Sequence, residues 1–117
     1  MGQKENPTAK KYEVRISISA LQNIDEITGY IAFIELQPDN AAKVGDAIYD
    51  TIDRIQLHPL AFRECEELVT KGKIYRRARC LSWSIIYKVA GTDILILGII
   101  HDSRKPIHTK KLRSIKS

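Results

Sequence analysis

Apolar positions along this 117-residue chain recur at different spacings, and the changes of spacing divide it. Tyr12, Val14, Ile16 and Ile18 alternate with Glu13, Arg15 and Ser17, which is the period of a half-buried strand over 12–18. Leu21, Ile24, Ile27, Ile31 and Ile34 then follow at steps of three and four, one stripe along a helix of roughly 16 residues. Ser19-Ala20-Leu21-Gln22 ahead of that stripe fits a capping box, with the Ser hydroxyl on a first-turn amide and Gln22 reaching back. Gln37-Pro38-Asp39 closes this helix and opens the next. A second stripe runs through Ala41, Val44, Ile48, Ile52 and Ile55, with Lys43, Asp46, Asp50, Asp53 and Arg54 on the other face. Pro59 sets its limit near His58. The short connection between the two stripes predicts an antiparallel helical hairpin.

Beyond Pro59 the pattern changes again. Residues 59–73 read as a loop with glutamates at 64, 66 and 67 and a break at Gly72. Ile74 to Arg79 and Leu81 to Ala90 read as strands, the second with Leu81, Trp83, Ile85, Tyr87 and Val89 on one face. The turn between them has neither Gly nor Pro to fix its position, whereas Gly91-Thr92-Asp93 marks a hairpin turn. Ile94 to Ile100 is almost wholly apolar, as a central strand covered on both faces would be. Residues 1–11 are polar and aperiodic and read as a tail; 107–117 read as a basic, solvated C-terminal extension, with Pro106 opposing a regular helix there. The order β-α-α-β-β-β predicts one α+β domain over 12–106, a helical hairpin packed on an antiparallel-rich sheet.

Composition adds one asymmetry. Residues 1–67 hold 7 Lys/Arg and 12 Asp/Glu, while 68–117 hold 12 Lys/Arg and 2 Asp/Glu. The predicted sheet is therefore basic and the predicted hairpin acidic, and such a field favours an anionic partner, nucleic acid or acidic protein. Apolar content of 44% and charged content of 28% are ordinary for a soluble globule. No run of 18 apolar residues predicts a membrane span, and Met1 to Asn6 resembles neither a signal peptide nor a myristoylation site. Cys65 and Cys80 are isolated and read as free thiols, so the cytoplasm is the default location.

Metal-hydrolase, P-loop, dinucleotide-binding and nucleophile-elbow signatures are absent, and His58, His101 and His108 lack ligand spacing. No metal and no cofactor is expected. The remaining chemistry lies in Arg76, Arg77 and Arg79 on the first basic strand and in His101 and Arg104 just past the apolar one. Guanidinium groups hold phosphate bidentately and imidazole moves protons, so such a set can cleave RNA through its own 2′-hydroxyl. By alternation Arg76 shares a face with Ala78, and Arg77 and Arg79 share the other, so all three do not serve one site. The plainer reading is a solvated strand face that discourages edge pairing, with Trp83 and Tyr87 in the core rather than stacking on bases.

These pieces together resemble a known family. Ser19 to Ile27 with Tyr30-Ile31, the Ala41 to Pro59 stripe, Arg76-Arg77, Trp83-Ser84-Ile85-Ile86-Tyr87-Lys88-Val89 and Ile99-Ile100-His101-Asp102-Ser103-Arg104 are similar to the ordered motifs of the RelE/ParE toxin superfamily. The resemblance spans about residues 12–106 and implies the toxin of a type II toxin–antitoxin, or plasmid stabilisation, module. It implies a cognate antitoxin as partner, operator DNA only through the antitoxin complex, and a possible homodimer. ParE-like members bind and poison DNA gyrase; RelE-like members cut mRNA on the ribosome. The ParE-like reading is preferred here, with a non-toxic binding module as a further alternative. A cutter would use Arg77, His101 and Arg104, and a binding surface for antitoxin or target would draw on Arg76, Arg77, Arg79, Arg104, Lys110 and Lys111. Asp102-Ser103 departs from the family's Gly-Arg, and no Tyr follows Tyr87, both of which weigh against the cutter.

Overall fold

The alternating segment forms β1 (Glu13–Ile16), and Ser17 ends it. The structure, a computed structural model, describes residues 11–116, so the N-terminal tail expected at 1–11 lies outside them apart from Lys11. Ser17, not Ser19, caps the first helix, α1 (Ile18–Gly29). Its hydroxyl accepts from the Ala20 amide at 2.9 Å and donates to the Leu97 carbonyl at 3.0 Å, so one buried side chain both starts the helix and ties it to the sheet. The buried line is not the whole of the expected stripe. Ala20, Ile24 and Ile31 are buried, whereas Leu21, expected inside, is exposed.

The helix continues as one π turn, Tyr30–Ile34, closed by the Glu35 amide on the Tyr30 carbonyl at 3.0 Å. The wide turn rotates its last residues away from the core, so Ile34, also expected inside, faces solvent. Leu36, at φ 57°, breaks the chain direction, and Pro38 opens α2 (Pro38–Leu57) at the position where its missing N–H costs nothing. Here the sequence stripe is the buried stripe: Ala41, Val44, Ile48, Ile52 and Ile55 all lie in the core.

The 59–73 segment is more tightly held than a surface loop. Tyr87 donates its hydroxyl to the Pro59 carbonyl, Arg76 donates to the carbonyls of Leu60 and Phe62, and Leu68 is buried. The Arg77 amide bonds the Arg63 carbonyl and the Cys65 amide bonds the Tyr75 carbonyl, so 63–65 covers the outer edge of the next strand. That strand is β2 (Tyr75–Cys80), followed by β3 (Trp83–Ala90) and β4 (Asp93–His101). Leu81, expected on the strand, is in the β2–β3 turn at φ 56° and exposed. Gly91, at φ 62°, makes the β3–β4 turn as anticipated.

The sheet order is β1-β4-β3-β2, with β1 parallel to β4 and the other pairs antiparallel. The helices cover one face through Ala78, Ile85, Tyr87, Ile94, Ile96 and Ile99. The other face has its own cluster, in which Leu68, Tyr75, Ile86 and Leu97 meet Leu112. A register shift between Ile86 and Tyr87 leaves Leu97 as the extra residue and puts Gly98 on this second face. A Cβ there would lie 3.0 Å from Leu112 Cδ2, so the glycine lets the C-terminal segment approach. That segment is not a solvated extension. It forms α3 (Pro106–Lys110), with Pro106 in the first turn where proline is tolerated, and a 3₁₀ turn, Lys111–Ser114, with Thr109 and Leu112 buried.

Candidate functional site

The β2–β3 turn and the end of β4 bring the basic residues to one end of the sheet, but to opposite faces. His101 pairs with Trp83 and packs edge-on to its ring at 5.5 Å between centroids. Trp83 belongs to the helix-side cluster, so His101 looks toward α1. The Ser103 amide donates to His101 Nδ1 at 3.1 Å, which makes Nδ1 an acceptor and leaves Nε2 to carry the proton of the neutral ring. Arg104 follows a turn closed by its amide on the His101 carbonyl at 2.9 Å.

Between this end of the sheet and the helices runs a cleft of about 960 Å³. It is lined by Asn23, Ile27 and Tyr30 from the helix side, by Leu81 and Trp83, and by the charged or titratable groups Glu26, Glu35, His101, Arg104, His108 and Lys111. Asn23 accepts from the Ile99 amide at 3.0 Å, so α1 satisfies the edge of β4 beyond the end of β1. The apolar lining suits an amphipathic peptide segment, and Arg104 and Lys111 offer cations to acids on it.

Arg77 and Arg79 face the other way. Arg77 donates through Nε and Nη2 to Ser84 Oγ at 3.2 and 3.1 Å, and its Nη1 lies 3.7 Å from Glu67 Oε1. Ser84 Oγ donates to Asp102 Oδ1 at 3.2 Å, and Asp102 Oδ2 lies 2.9 Å from Arg79 Nη2. Five side chains thus form a line, Glu67–Arg77–Ser84–Asp102–Arg79. Arg76 is occupied with backbone carbonyls on the helix side. The set Arg77, His101 and Arg104 is therefore not one site: His101 and Arg104 share the cleft, and Arg77 is on the opposite face. Lys111 lines the cleft, and Lys110 is exposed beside it in α3.

Ser84, Glu67 and Asp102 were not assigned to a site by sequence, which noted Asp102 only as a departure from the family pattern and Glu67 only as loop surface. Their signal was cross-strand register, which sets Ser84 opposite Arg79, and the unmarked Leu81-Ser82 turn hid that register. Among the described residues no group of three or more His, Cys, Asp or Glu is placed to hold a metal ion, and no helix is long and apolar enough to cross a membrane.

The sequence model of a protein family, the ParE toxin of the type II toxin–antitoxin system parDE, matches residues 14–106. The chain belongs to this ParE toxin family. Among curated proteins none matches the sequence. Solved structures share its fold. A chain of the chromosomal ParDE toxin–antitoxin system from P. aeruginosa superposes with a TM-score of 0.63 at 22% identity, over 78% of this chain and 96% of that one. A chain of the RelBE2 toxin–antitoxin complex from Mycobacterium tuberculosis does so with a TM-score of 0.52 at 18% identity, over 78% and 98%. This ParE family member thus has the α+β toxin fold anticipated from its order of elements.

Proposed function

We propose that this toxin acts by binding, with DNA gyrase as its target, and that it is held by a cognate antitoxin whose acidic, amphipathic segment lies in the cleft between α1 and the end of the sheet. Membership of the ParE family supports the toxin–antitoxin setting. Both structural neighbours come from toxin–antitoxin systems, which supports the antitoxin as partner.

The observation that carries binding over cleavage is the state of the arginines. A metal-independent RNA cutter needs a cationic phosphate clamp beside its proton carrier. Here Arg77 and Arg79 are engaged by Glu67 and Asp102, on the face turned away from His101. Only Arg104 shares the cleft rim with that histidine among the three residues a cutter would use. The alternative, a ribosome-dependent endoribonuclease, lacks that assembled clamp.

Two purified reactions test the reading. The chain should inhibit supercoiling of relaxed plasmid by gyrase, and it should leave a reporter mRNA intact in a translating ribosome reaction. Cleaved mRNA with unaffected gyrase would overturn it.

A further inference from the structure

The line of side chains on the second face has a property that the cleft lacks. Its cations are already met by the chain's own carboxylates. Asp102 offers two oxygens, one 2.9 Å from a guanidinium nitrogen of Arg79 and the other accepting from Ser84 at 3.2 Å. Ser84 in turn accepts both donors of Arg77, whose remaining nitrogen faces Glu67. Two oxygens between a guanidinium and a hydroxyl are how a phosphodiester is held, because carboxylate and phosphate present similar acceptor pairs to arginine.

Burial adds to this. The side chains of Arg77, Glu67 and Asp102 are 21%, 20% and 29% exposed, so water screens this group less than an open surface pair. The Asp102 amide bonds the Ser82 carbonyl at 2.9 Å, which fixes the carboxylate over the β2–β3 turn. Arg79, by contrast, has a side chain 74% exposed and reaches solvent.

We infer that Asp102, with Glu67, is an internal phosphate mimic: it fills an anion site made by Arg77, Arg79 and Ser84 and keeps this face of the sheet from binding single-stranded RNA. Asp102 is then the residue that sets which class of partner the basic sheet accepts. It turns away a polyanion while the separate cleft stays open to a protein. This anion site lies on the face opposite the cleft and is tested on the isolated full chain, so it stands or falls apart from the gyrase reading.

The experiment is fluorescence anisotropy with a labelled uridine decamer across a salt series. Asp102→Asn keeps an acceptor oxygen for Ser84, removes the charge and turns an amide NH2 toward Arg79, which releases that guanidinium. It should bind the decamer about tenfold tighter than the unaltered chain. Its plot of log affinity against log salt should be steeper by about 0.7, the contribution of one more neutralised phosphate on a single strand. Glu13→Gln, an equal charge change on β1 at the far edge of the sheet, should not shift the affinity more than twofold. Adding Arg79→Ala to Asp102→Asn should return it to the starting value. Glu67→Gln, which frees Arg77 instead, should steepen the slope in the same way and carries the test should Asp102→Asn fail to fold. Folded variants that bind no tighter than the unaltered chain would overturn the inference. So would a gain that Glu13→Gln matches or that Arg79→Ala does not reverse.

Discussion

The hydroxyl of Ser17 sits where β1, α1 and β4 meet, donating to Leu97 and accepting from Ala20. Replacing Ser17 with Ala removes a cap and leaves a buried carbonyl with one partner fewer, so it should cost about 2 kcal/mol in urea melts. Ser19→Ala should stay within about 0.5 kcal/mol, because the Ser19 side chain does not cap the helix. A second residue-scale prediction concerns alkali. Burial pushes the Cys65 thiol from its ordinary 9.0 up to about 11, with the neighbouring Glu67 carboxylate adding to the rise. Burial also raises the Tyr87 phenol, against an opposing pull from Arg76. Both groups are neutral in the fold and ionise earlier in the unfolded chain. The Cys65 contribution is therefore full below pH 9 and is lost as pH climbs through about 11, while that of Tyr87 begins to fall only above its ordinary 10.0. The urea midpoint of the unaltered chain should drop between pH 8 and pH 10.5, and that drop should be smaller in Cys65→Ala.

At the scale of elements, the C-terminal segment matters most. Leu112 rests on the space left by Gly98 and joins the second cluster. Leu112→Ala should destabilise the protein by about 2–3 kcal/mol, and amide exchange should rise first in α3 and the 3₁₀ turn behind it. Unchanged exchange there would show that α3 is held by something else. Sequence did not reveal this segment because only Thr109, Leu112 and Ile115 turn inward among many cations, too few positions for a periodic signal. By contrast the apolar stripe of α2 was legible throughout, since its spacing is unbroken from Ala41 to Ile55; only the buried Thr51 was missed. The α1 stripe was legible only in part. Ala20 rather than Leu21 meets the core at the first turn, and one π turn, which has no strong local signature, turned Ile34 outward.

For the whole molecule, the charge division along the chain is real in composition but is not a uniformly basic sheet. Arg77 and Arg79 are answered by Glu67, from the otherwise acidic part, and by Asp102, one of the two acids in the basic part. The order of elements and the α2 face were readable because they arise from periods that one sequence displays, and the family from motifs such as Arg76-Arg77 and Trp83 to Val89. The split of the basic residues between two faces was readable for Arg77 and Arg79 by alternation. It was not for His101, whose face depends on the bulge at Leu97 and on the register with Trp83. That placement carries the functional account, because it separates the histidine from Arg77, one of the two arginines a cutter would use.

The most direct test of that account is pulse labelling in a bacterial host just after induction, with thymidine and methionine incorporation measured separately. A toxin that binds gyrase lowers thymidine incorporation first, with methionine incorporation falling later. A first and immediate fall in methionine incorporation would contradict the account and return His101 and Arg104 to the role of an RNA-cutting site.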